Sequence, residues 1–131
     1  TQAEAQINEH VCNVHSAYSG SEKCVAIVTG ANSGIGYETA KALGHTRSMM
    51  ILACHNLKHA QLAQQQLHKS TRLDTFQVME LDLASFMSVL QFVAKFCKMY
   101  TQLNVLVCNA GVAFGHYNTM YDGLKAQFST N

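Results

Sequence analysis

The chain has 131 residues, 48% hydrophobic and 13% charged, which is the length of one domain with enough apolar surface to bury a core and too little charge for a disordered chain. Nine Lys and Arg against eight Asp and Glu leave a formal charge of +1, with no block of like sign, which argues against a nucleic-acid or membrane-surface protein. No apolar run approaches the roughly 20 residues of a membrane span. Five cysteines without a Cys-x-x-Cys pair argue against a disulfide framework and for a reducing compartment, the cytoplasm.

Residues 1–21 are polar, lack a clear period and end in Ser19-Gly20-Ser21. They read as a leader or linker without the basic-then-apolar order of a secretory signal. The start at Thr1 and the stop at Asn131, a few residues into an expected helix, read as two cut ends. From residue 22 the pattern changes. Cys24 to Thr29 is a short β-branched run ending at Gly30, which predicts a buried strand. A helix is expected from Gly34 to about Leu43, with Gly44 as its C-cap, and a second strand over Met49–Cys54. Leu57, Ala60, Gln64 and Leu67 recur at helical spacing, and Phe76 to Leu81 predicts a third strand. Ser85 is the expected N-cap of a helix whose apolar stripe is Phe86, Val89, Leu90, Val93, Phe96, Cys97 and Tyr100. Val105 to Cys108 predicts a fourth buried strand, and Leu124 with Phe128 the start of a further helix. Cys54 and Cys108, at strand ends in apolar runs, and Met49, Met50 and Met79 are expected in the core.

Strands alternating with helices of these lengths imply a parallel sheet with right-handed crossovers, an open, doubly wound α/β fold. The strand-to-helix turn after the first strand reads Thr29-Gly-Ala-Asn-Ser-Gly-Ile-Gly36. Gly30 suits a tight turn, Gly34 a close approach of backbone to a pyrophosphate, and Gly36 close packing of helix on strand. The helix N-terminus behind them offers unpaired N–H groups to phosphate.

The spacing T-G-x-x-x-G-x-G resembles that of the short-chain dehydrogenase/reductase family. Three later segments fall in the same register: Leu52-Ala-Cys-His-Asn56 after the second strand, Leu81-Asp-Leu83 after the third, and Asn109-Ala-Gly111 after the fourth. Within the family the motifs are most similar to the branch of WW-domain-containing oxidoreductases and retinol dehydrogenases, although no WW module is legible in residues 1–21. The resemblance implies that residues 22–131 are the N-terminal part of a Rossmann-type NAD(P)-binding domain with strand order 3-2-1-4. It implies that Gly30, Ser33, Gly34, Ile35 and Gly36 hold the pyrophosphate, His55 and Asn56 flank the adenosine ribose, Asp82 and Leu83 lie near adenine, and Asn109, Ala110 and Gly111 lie beside the nicotinamide-side ribose.

An NAD-selective site places Asp or Glu about 20 residues beyond the glycines, on the ribose 2′-OH. Here Ala53-Cys54-His55 carries no acid. The family's NADP-binding relatives have Arg where His55 stands, so NADP is favoured over NAD, with a neutral imidazole the weaker partner because only the protonated ring is charged.

The family's chemistry is reversible alcohol–carbonyl interconversion, with a Tyr as proton donor or acceptor, a Lys four residues later lowering its pKa from about 10, a Ser polarising the carbonyl, and an Asn completing a proton relay. Asn131 matches that Asn. The spacing Tyr-x-x-x-Lys occurs at Tyr37 and Lys41 and again at Tyr121 and Lys125. The first pair lies on the helix behind the pyrophosphate. The second precedes Asn131, whereas the family's Tyr follows it. Both are read as helix-surface pairs, which puts the true Ser, Tyr and Lys beyond residue 131. The expected reading is therefore the cofactor-binding half of an oxidoreductase acting on a small lipophilic alcohol or carbonyl compound. The alternative is a truncated, catalytically inactive relative acting through protein–protein contacts, with a homodimer or partner covering the open edge of the fourth strand. His55 with His59, and Cys12 with His15, lack convergent third and fourth ligands, so no metal site is expected.

Overall fold

The computed structural model describes residues 24–46 and 48–111. The segment 1–21, Cys12, His15, Arg47, the Tyr121 and Lys125 pair, the helix expected around Leu124 and Phe128, and Asn131 lie outside the described residues. The elements run β1 (Val25–Thr29), α1 (Gly34–Gly44), β2 (Met49–Cys54), α2 (Leu57–Thr71), β3 (Phe76–Glu80), α3 (Phe86–Met99) and β4 (Val105–Val107).

The four strands form one parallel sheet in the order β3-β2-β1-β4, as the resemblance implies. The chain walks outward from β1 to β3, then returns across the sheet to place β4 on the other side of β1. Right-handed crossovers therefore put α1 and α2 on one face and α3 on the other. Alternation along the strands supplies both faces. Ala26 and Val28 of β1, with Met50, Leu52 and Cys54 of β2, pack toward α1 and α2, where Ala40, Leu43, Ala60 and Leu67 meet them. Val25 and Ile27, with Ile51 and Ala53, pack toward Phe92 and Phe96 of α3. Met50, Ile51 and Leu52 are fully buried in consecutive positions, as a central strand covered on both faces requires. Each such side chain contributes about 1.5–3 kcal/mol of burial.

Four expectations are corrected. Gly44 is the last residue of α1, with His45 as the cap in ordinary right-handed geometry. Its missing side chain serves packing, because a Cβ there would meet the Phe76 ring. On α2 the buried residues are Ala60, Ala63 and Leu67, while Leu57 is exposed and Gln64 donates from Nε2 to the Phe76 carbonyl at 2.8 Å.

The stripe on α3 is wider than the face that the sheet covers. Phe92 and Phe96 are buried, with Val89 and Tyr100 partly buried beside them, whereas Phe86, Leu90, Val93 and Cys97 are exposed. Phe92, absent from the expected stripe, is one of its two buried anchors. The reason is geometric: one helix lies over this face, and its second apolar line points away from the sheet.

β4 is half-buried rather than buried. Val105 and Val107 pack toward α1 and α2, but Leu106 is 55% exposed on the side where α3 does not reach. Cys108 is exposed just past the strand end. Met50 and Met79 lie in the core as expected, with Met49 partly buried at its edge.

Candidate functional site

All four strands of a parallel sheet point the same way, so the segments that follow them collect at one edge. Beside the point where strand order reverses, between β1 and β4, that edge is a cleft. The cleft has a volume of about 540 Å³, within the range of small-molecule sites. Its lining comes from four separate segments: Thr29, Gly30, Asn32 and Ser33 after β1; Ala53, His55 and Asn56 after β2; Leu81 to Ala84 after β3; and Asn109 to Gly111 after β4.

The glycine turn has the backbone that its sequence requires. Gly30 and Gly34 have φ of 64° and 57°, the left-handed region that side chains disfavour. Gly30 also has no room for one, since a Cβ would lie 2.9 Å from the Ala110 Cα. Gly36 is buried where α1 begins, and a Cβ there would strike the Gly30 carbonyl and the Asn109 side chain. Thus Gly36 lets the N-terminus of α1 seat against the turn. Ser33 is the N-cap of α1 but makes no side-chain cap hydrogen bond, and the first turn of α1 carries no acidic residue. The positive end of the helix dipole is left without an intramolecular counter-charge.

Thr29 ties the β1 side of the cleft to the β4 side. Buried at 6% exposure, its hydroxyl accepts the N–H groups of Asn109 at 2.9 Å and Ala110 at 3.0 Å, and donates to the Val107 carbonyl at 3.4 Å. Asn109 Nδ2 donates to the carbonyls of Thr29 at 3.2 Å and Gly30 at 3.4 Å. Thr29 is a positioning residue that the sequence reading did not single out. Its signal was present, as a hydroxyl closing an otherwise aliphatic strand.

After β2, Asn56 caps α2 by accepting the His59 N–H at 3.2 Å, and the first turn of α2 again carries no acid. His55 is exposed, and among the described residues its ring has no hydrogen-bond or charge partner. After β3, Asp82 Oδ1 accepts the Ala84 N–H at 2.9 Å while the Asp82 N–H donates to Ser88 Oγ at 2.9 Å, fixing a turn into α3. Below the glycine turn, burial pushes the Cys54 thiol above its ordinary range, and hydrogen bonds from the backbone of Ala31 and Asn32 pull partly against that.

Of the residues singled out from sequence, the structure brings Gly30, Ser33, His55, Asn56, Asp82, Leu83, Asn109, Ala110 and Gly111 into one cleft lining. Gly34, Ile35 and Gly36 do not line it. Gly34 sets the turn, Gly36 sets the helix packing, and Ile35 is 70% exposed. The Tyr37 ring packs against the core behind α1, away from the cleft.

This arrangement defines a dinucleotide-binding α/β class, and the comparisons give the family. Residues 24–130 match the model for short chain dehydrogenase; the chain belongs to this family, whose members use nicotinamide dinucleotides in oxidation and reduction. It is 39% identical over 109 residues to the short-chain dehydrogenase TIC 32 B, chloroplastic, of Brassica napus, covering 81% of this chain and 33% of that protein. It is likewise 39% identical over 107 residues to the WW domain-containing oxidoreductase of Homo sapiens, covering 82% of this chain and 26% of that one. Among solved structures, a menthone neomenthol reductase from Mentha piperita superposes with a TM-score of 0.65 at 36% identity, over 70% of this chain and 33% of that one. The chain therefore spans a third or less of the length of these proteins. No helix among the described residues is long and apolar enough to cross a membrane.

Proposed function

We propose that the cleft binds NADP(H) and that the chain is the cofactor-binding half of an oxidoreductase interconverting a lipophilic alcohol and its carbonyl compound. The observation that carries this reading is the pairing of a left-handed glycine turn with a helix N-terminus lacking an acid, at the switch point of a parallel sheet. Gly30, Ser33, Gly34, Ile35 and Gly36 form the pyrophosphate turn, with Ser33 and the first N–H groups of α1 as donors. His55 and Asn56 stand at the adenosine ribose, Asp82 and Leu83 at adenine, and Asn109, Ala110 and Gly111 at the nicotinamide-side ribose. When bound, the nicotinamide exchanges hydride with the substrate carbon. Asn131 would belong to the proton relay, and the Ser, Tyr and Lys of that relay would be supplied by chain beyond it. The absence of an acid after β2 supports NADP over NAD, and the four described cysteines, all free, fit a reducing, cytoplasmic setting.

The test is thermal unfolding with each nucleotide. NADPH raises Tm more than NADH does, and Ser33→Asp removes both shifts. Asp is as good an N-cap as Ser, so the variant keeps its fold while placing an anion against the phosphates. A wild-type Tm that neither nucleotide moves sinks the reading. A second reading, partner binding by an inactive half-fold, is favoured by Leu106 and the outer line of α3. These leave an apolar sheet edge and helix face open among the described residues.

A further inference from the structure

Between β2 and α2 the cleft offers a site for a dianion whose only nearby titratable cations are histidines and one lysine. His55 follows the last residue of β2, lines the cleft and is exposed. Asn56, beside it, is engaged as the cap of α2. Asn32 and Ser33 line the cleft from the glycine turn, and the Ser33 hydroxyl is free of capping duty. We infer that the charge on the His55 ring sets the choice between phosphorylated and unphosphorylated dinucleotide, so that preference for NADP(H) over NAD(H) strengthens as pH falls. The inference rests on the reading of the cleft as a dinucleotide site and deepens it.

The argument is one of charge. A carboxylate after β2 would accept the ribose 2′-OH and repel a 2′-phosphate. None is present, and the first turns of α1 and α2 are both free of acids. An arginine there would attract the phosphate at every physiological pH. An imidazole does so only when protonated, and neutral it still donates one hydrogen bond to either ligand.

The other ionisable groups around this position leave His55 as the variable one. From α2, Lys58 and His59 lie in the exposed first turn. Lys58 is a fixed charge that gives a pH-independent base level, and His59 adds to the titration. From the far wall comes Asp82, one of whose oxygens is held by the Ala84 N–H. From β3 comes Glu80, the register partner of Cys54. Both carboxylates stay ionised over the range concerned. The glycine turn from Gly30 to Gly36 contributes no titratable group, and Glu38 of α1 lies beyond its first turn. Cys54 is buried with its thiol held neutral.

The experiment is direct titration of the whole chain with NADPH and with NADH by calorimetry, at a series from about pH 6 to about pH 8 that brackets imidazole titration. The ratio of the two Kd values is the readout, so effects common to both nucleotides cancel. The expected result is a preference for NADPH about threefold to fivefold greater at the acid end, the size of an exposed ion pair. The 2′-phosphate loses charge in the same range and works against this trend, so the variants carry the decision. His55→Arg makes the preference large and flat with pH, and His55→Gln makes it small and removes the rise. A wild-type ratio that does not rise toward the acid end overturns the inference while leaving the dinucleotide reading intact. So does a rise that survives in His55→Gln, which would assign the charge to His59. Absence of binding by either nucleotide at every pH overturns the reading and the inference together.

Discussion

The Thr29 hydroxyl and the Asn109 backbone N–H meet at 2.9 Å across 80 residues of chain. This bond, with the companion bond from the Ala110 N–H at 3.0 Å, locks the segment after β4 against the end of β1. The cleft exists because these two loops are held at a fixed separation. The bonds are buried and the hydroxyl is fully engaged, so Thr29 is a structural determinant of the site without a direct role toward a ligand. Thr29→Val, close in shape, leaves two N–H groups and one carbonyl without their partner. The expected cost is about 1–3 kcal/mol in denaturant unfolding, together with weaker nucleotide binding. Thr29→Ser retains the hydroxyl and should recover most of both. Equal stability of the Val and Ser variants would show that the hydroxyl does not hold the loops.

The glycines of the turn make separable predictions. A Cβ on Gly36 must displace the Gly30 carbonyl or the Asn109 amide, and backbone yields reluctantly, so Gly36→Ala should cost about 1–3 kcal/mol. A Cβ on Gly34 meets nothing within 4 Å, and the penalty there is conformational, from φ of 57°, about 1–2 kcal/mol. Gly34→Asn, which tolerates left-handed geometry, should be nearly neutral, whereas Gly36→Asn should be worse than Gly36→Ala. Urea unfolding of the four variants distinguishes steric from conformational cost. A Gly36→Asn variant as stable as Gly34→Asn would contradict the packing of α1 against the turn.

The part of this molecule that was legible in its sequence is the part dictated by local rules. β2 is bounded as expected because Met49–Cys54 is apolar at every position, as a central strand must be, and Ser85 caps α3 through the Ser88 N–H because Ser at an N-cap competes well for that donor. The cleft lining was legible because the motif glycines and strand-end residues have fixed topological places. What was not legible depended on which neighbours are present. Phe86, Val89, Leu90, Val93, Phe96 and Cys97 share helical spacing, yet sequence periodicity cannot say how wide a face the sheet covers. Gly44 looked like a cap, and only the Phe76 ring lying over it shows that it is a packing glycine. Thr29 carried no signal beyond its membership of the motif, because its partners lie in a segment distant in sequence.

The orientation of α3 can be checked by paired truncations. Phe92 and Phe96 are each 8% exposed and face the Ile51 and Met79 side of the sheet. Phe92→Ala should cost about 3–5 kcal/mol, as should Phe96→Ala. Leu90 is 63% exposed, so Leu90→Ala should stay within about 0.5 kcal/mol. If Leu90→Ala in the isolated chain cost as much as Phe92→Ala, the outer line of the helix would be covered by another part of the chain or by a second copy. Repeating the measurement at several protein concentrations separates those two cases.

Alkaline pH should unfold the chain through two buried acids. Burial raises the Cys54 thiol above its ordinary value of 9.0 and the Tyr100 phenol above 10.0. The Tyr100 hydroxyl donates to Gln77 Oε1 and needs its proton to do so. The folded state therefore keeps these protons to a higher pH than the unfolded chain does. Between the two values of each group the native state binds more protons, and the slope of unfolding free energy against pH is negative. The contribution is fully present below about pH 9, where the unfolded thiol also stays protonated, and falls away as pH rises through the folded-state values. Equilibrium unfolding in urea across this range should show a flat region followed by a decline. Cys54→Ala should flatten the first part of the decline and Tyr100→Phe the later part, whatever either variant does to stability at neutral pH. A decline of the same slope in both variants would assign the alkaline loss to lysine deprotonation instead.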